Sequence, residues 1–149
     1  MNKQLTSAIG GLAGAATLTV LNETVKRIDH DATHLDLLGM NALAKVIKGG
    51  GLKKAVIGEP IQASMAGDLL SNSLYFGLAN GSTKKQTLLR GSLLGLGAGI
   101  GAVSLARPLG LDERAAHASV KTKAMTIAWY VIGGLVAAAV INMLDKKIG

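Results

Sequence analysis

The chain of 149 residues has no cysteine, which excludes disulfides, thiolate metal sites and cysteine nucleophiles. Aromatic residues are almost absent: one Phe, one Trp and two Tyr. Without them there is no stacking platform for bases, and no basic run is interleaved with aromatics, so the formal charge of +7 is no nucleic-acid footprint. Only two prolines interrupt the chain, and long stretches carry no charge at all. What fills the chain instead is Leu, Ala, Val, Ile and twenty Gly. Lys and Arg stand singly or in pairs beside the apolar blocks, as in Lys26-Arg27, Lys53-Lys54, Lys84-Lys85 and Lys146-Lys147, where they would meet lipid headgroups.

This pattern predicts an all-α polytopic membrane protein forming one membrane domain over 1–149, with the lipid bilayer as its first partner. Four spans are expected, at about 5–28, 61–80, 88–106 and 124–144. The first resembles a signal sequence in having Lys3 ahead of apolar residues. The apolar stretch before Ala13-Gly14-Ala15 is too short for cleavage there, so it is read as a retained helix. Between the first two spans, Thr33-His34-Leu35-Asp36 has the Ser/Thr-x-x-acidic form of a helix start and Gly49-Gly50-Gly51 is a stop. Leu35, Leu38, Ala42, Leu43, Val46 and Ile47 recur at helical spacing, which predicts an amphipathic interfacial helix over about 33–48. The short link Gly81 to Lys85 predicts an antiparallel hairpin of the second and third spans. Cations close to the spans tilt the orientation toward both termini inside, and a bacterial cytoplasmic membrane is the expected location.

Two helix faces stand out. On the third span, Gly91, Gly95, Ala98, Gly99 and Ala102 form one stripe, with Leu89, Leu93, Leu96, Ile100 and Val103 opposite. Small stripes let backbones approach closely, which drives helix association in lipid. Gly10 and Gly14 on the first span and Gly133 and Gly134 on the fourth extend the same theme. Packing within one bundle and a homo-oligomer seam both use such a stripe, and a homo-oligomer is expected because four short helices bury little alone.

On the second span, Ser64, Asp68, Ser71, Asn72 and Tyr75 share one sector. A carboxylate within a span costs roughly 2.5–3.5 kcal/mol on insertion scales, so such residues usually face a protein interior or water. Asp68 is therefore the leading functional residue, with Ser64, Ser71, Asn72 and Tyr75 around it and Glu23 near its mouth. A channel or transporter subunit for an ion or small solute is the leading expectation. The same stripe can equally be a structural hydrogen-bonded seam.

A second cluster, Asp29-His30-Asp31-Ala32-Thr33-His34-Leu35-Asp36, offers imidazoles four residues apart with acids around them. His30, His34, Asp31 and Asp36 are candidate ligands for a divalent metal, and with Glu23 and Asp29 they would suit a membrane-embedded enzyme acting on lipid. A charged, solvated connection explains the same residues. A structural or accessory subunit is the third expectation. No nucleophile elbow or phosphate-binding loop occurs. The start Gly10 to Ala15 resembles the opening of fluoride channels. The arginine and Phe-rich stretches of that family are missing, and no family is assigned.

Overall fold

The structure, a computed structural model, describes residues 2–28, 60–105 and 119–145, without the side chains of 26, 28 and 60–65. The described residues form four helices: α1 (Lys3–Ile28), α2 (Pro60–Gly77), α3 (Lys84–Leu105) and α4 (Val120–Leu144). The expected interfacial helix at 33–48 lies outside the described residues.

Local chemistry explains where the helices start. Pro60 opens α2, where its missing N–H costs nothing and its fixed φ suits a first turn. Ahead of α3, the Thr83 hydroxyl accepts from Gln86 N at 3.2 Å, and the Gln86 side chain reaches back to accept from Ser82 N at 3.1 Å. This close variant of a capping box starts the helix four residues before the apolar run that marks it in the sequence. Ser119 caps α4, its hydroxyl accepting from Thr122 N at 3.2 Å, so α4 too begins ahead of its expected first residue. At the other end of α2, the helix stops at Gly77 and a turn over 78–80 follows, three residues short of the expected end.

The helices run alternately up and down and pack in the order α2, α1, α4, α3. α1 lies between α2 and α4, and α3 packs on α4. α2 and α3, although joined by the short link, touch only sparsely. The tight hairpins are therefore α1–α2 and α3–α4, with α1–α4 as the central seam. The reason lies in where backbone is exposed. At Gly14 an added Cβ would stand 2.8 Å from Ala137 Cβ and 2.5 Å from Gly133 O, so α1 and α4 meet through peptide groups. At Gly95 it would stand 2.7 Å from Val131 Cα, and at Gly99 2.7 Å from Ile127 Cα. The glycine stripe of α3 is thus covered by α4, which leaves α2 without a matching small face on α3.

Large side chains point the other way. Leu74 on α2, Leu93 and Ile100 on α3, and Leu12 and Val20 on α1 are exposed, while the interior is Gly, Ala and Thr around Leu18, Phe76 and Ile141. In water this inside-out distribution would leave much of the apolar surface uncovered, whereas lipid tails cover it. Three of the helices, α1, α3 and α4, are long and apolar enough to cross a membrane. α2 is the exception: it has 18 residues and carries the polar stripe.

Candidate functional site

The candidate site grows from α2. Asp68 and Asn72 are one helical turn apart, so their side chains lie one above the other, and Asn72 Nδ2 donates to Asp68 Oδ1 at 3.1 Å. Both are half-buried. Tyr130 on α4 lies within electrostatic range of the Asp68 carboxyl, which brings a residue from another helix into the site. Tyr130 in turn packs, with Tyr75 and Trp129, on the cluster of Leu18, Phe76 and Ala137.

The remaining residues of the predicted stripe part company. Tyr75 turns toward α3, donating from its hydroxyl to Leu94 O at 3.0 Å, and it supplies the direct tie across the sparsely packed α2–α3 seam. Gly97 on α3 faces this ring, since a Cβ there would stand 3.7 Å from the Tyr75 hydroxyl. Ser71 is exposed. Ser64 belongs to α2, and its side chain lies outside the described residues. Glu23 is half-buried near the end of α1.

The level of Asp68 in the bundle differs from its place in the helix. It sits at the middle of α2, but the helices cross where Gly14, Phe76 and Gly133 meet, with a Cβ at Gly133 falling 3.2 Å from Phe76 Cε2. Asp68 precedes Phe76 by two turns and more, about 12 Å of helix rise. Asn22 and Glu23 follow Gly14, and Thr126 precedes Gly133, by nearly the same rise. The antiparallel register therefore places Asp68, Asn72, Asn22, Glu23 and Thr126 in one polar layer toward the end of the bundle that holds Pro60 and Ser119. In a bilayer centred on that crossing, with a hydrocarbon core about 30 Å thick, such a layer would fall near the boundary rather than at the centre. The displacement arises because α2 is short and is docked to α1 by its last turns, where Gly11 meets the backbone of Ser73 and Gly77.

A second polar cluster, at the opposite end, has no counterpart in the sequence reading. Asn80 is 7% exposed, and its amide nitrogen faces Lys3 O at 3.2 Å, Thr6 Oγ1 at 3.4 Å and Ser7 Oγ at 2.8 Å. Arg90 Nη1 donates to the Asn80 carbonyl at 3.0 Å, and Gly81 N donates to Thr87 Oγ1 at 3.1 Å. Thr6 and Thr87 are fully buried. This cluster ties the start of α1 to the α2–α3 link. The signal that could have found it is the concentration of Asn, Ser and Thr at both ends of what otherwise reads as lipid-facing helix.

His30, His34, Asp29, Asp31 and Asp36, the candidate metal and acid–base residues, lie outside the described residues. Among the described residues, no group of three or more His, Asp or Glu could hold a metal ion. The glycines predicted for packing lie inside the chain: Gly91, Gly95 and Gly99 against α4, and Gly10 and Gly14 against α4 from the other side. No protein family, curated protein or solved structure matches this chain.

Proposed function

We propose that the protein is a small integral membrane protein in which all four helices lie within the bilayer, and that it serves as a channel or transporter subunit for an ion or small solute. The observation that carries this reading is the half-buried Asp68–Asn72 pair on α2, a helix that packs closely on α1 alone. An acid among the apolar residues of such a bundle usually faces a protein interior or water, even where its place toward one end lowers its cost. The α1–α4 and α3–α4 seams close backbone to backbone and leave no room for a solute. The path is therefore assigned to the α2–α3 side, where Tyr75 bridges the gap and Asp68 stands with Glu23 in the polar layer at one mouth. Two or more copies would enclose that side, which is the form in which a homo-oligomer enters this reading.

The test is ion and proton flux in proteoliposomes, comparing the native chain with Asp68→Asn. Flux that falls at least tenfold in the variant, with oligomer and helicity unchanged, supports the assignment. Absence of flux from the native protein across a broad panel of ions and small solutes refutes it.

A further inference from the structure

The end of the bundle opposite Asp68 holds a groove that transport does not use. It lies between the first turns of α1 and the last turns of α2, has a volume of about 730 Å³ and is open to the outside. Its floor is the close α1–α2 approach, where a Cβ on Gly77 would stand 3.1 Å from Ser7 O. Its lining is divided. At the outer end stand Lys3, Gln4, Ser7 and Leu78, and toward the middle of the bundle stand Ala8 and Leu74. Leu74 and Leu78 are 69% and 64% exposed, large apolar surfaces left bare beside a polar rim.

We propose that this groove binds one anionic phospholipid, with its phosphate at Lys3 and an acyl chain along Ala8, Leu74 and Leu78. Charge favours this occupant. Lys3 is the one charged residue among those lining the groove, so no carboxylate opposes an anion. Ser7 Oγ accepts from Asn80 at 2.8 Å and keeps its own proton as a donor. The start of α1 adds the positive end of the helix dipole. Lys84, Lys85 and Arg90 stand at the same end of the bundle and mark it as the level of a headgroup layer. Basic pockets between membrane helices on a polar face suit anionic headgroups, and the apolar inner half of this groove suits the chain attached to one. A free anion would leave Leu74 and Leu78 bare, and a zwitterionic lipid would offer Lys3 no net charge.

The experiment is native mass spectrometry of the full chain released from detergent micelles, titrated with phosphatidylglycerol or phosphatidylcholine. The expected result is one phosphatidylglycerol per chain, preferred severalfold over phosphatidylcholine. Lys3→Gln is expected to weaken it about fivefold, the effect of one cation near a lipid surface. Ala8→Trp fills the apolar half from an exposed position and is expected to abolish the adduct, which tests the site without touching the charge. Lys85→Gln, exposed at the same end but outside the groove, is expected to change binding less than twofold. Circular dichroism and monodisperse elution confirm that each variant is folded. Equal binding of the two lipids overturns the proposal, as does a loss in Lys85→Gln equal to that in Lys3→Gln. So does displacement of the lipid by millimolar inorganic phosphate, which would mark a free-anion site.

Discussion

Gly95 and Gly97 stand on the same helix two residues apart, and the structure assigns opposite outcomes to the same substitution. A Cβ at Gly95 would fall 2.7 Å from Val131 Cα and 2.9 Å from Tyr130 C, both backbone atoms that no rotamer change can move. The backbone oxygen of Tyr130 would stand closer still, so α4 must retreat by about 1 Å along this seam to restore ordinary contact at ~3.4 Å. A radial gap of 0.5–1 Å forfeits a quarter to a half of each dispersion well it opens. In lipid there is little hydrophobic term between helices to offset the loss. Gly95→Ala is therefore expected to destabilise the bundle by about 1–3 kcal/mol, the usual cost of overpacking. At Gly97 the nearest atom is the Tyr75 hydroxyl at 3.7 Å, so Ala fits, and its helix propensity stabilises by up to about 1 kcal/mol. Reversible unfolding in mixed micelles, followed by helicity across an SDS titration, reads both. If the two variants shift together, or Gly95→Ala is the more stable, the α3–α4 backbone contact is not what holds these helices.

Two further substitutions probe the other seams by the same unfolding assay. Phe76 is fully buried where α1, α2 and α4 converge, and Phe76→Ala should cost about 3–5 kcal/mol, whereas the same change at exposed Leu74 should cost far less. Asn80→Ala removes the amide donor that faces Thr6, Ser7 and the Lys3 carbonyl, of which Lys3 O keeps only the Thr6 hydroxyl as a side-chain donor, and it should cost about 1–3 kcal/mol while exposing the start of α1 to amide exchange. Unchanged exchange at 3–7 would show that the cluster does not anchor α1.

Read along the chain, periodicity reports which face of a helix is small, polar or greasy, because a face is built from residues three and four apart. The stripe of Gly91, Gly95 and Gly99, the outward rows of Leu on α3 and the Asp68–Asn72 stacking follow from that spacing alone. So does the helical class, since long apolar blocks without cysteine or aromatic platforms leave few other folds. Periodicity says nothing about which helix a face meets. The short link at Gly81 points to an α2–α3 hairpin, yet the glycine stripe of α3 is taken by α4, because backbone contact over several turns outweighs proximity along the chain.

The rest rests on contacts between residues far apart in sequence. Asn80 finds its acceptors more than seventy residues away, and Asp68 and Tyr130 come within electrostatic range from different helices. The level of Asp68 follows from the docking of α2 on α1 at Gly11, which slides the short helix along the bundle and sets its carboxylate toward one end of it. The four described helices and their faces were legible along the chain to within about a turn at their ends, for these depend on near neighbours. Only the tertiary structure decided the partners, the register and the residues that share a site, because each depends on where two backbones can come closest.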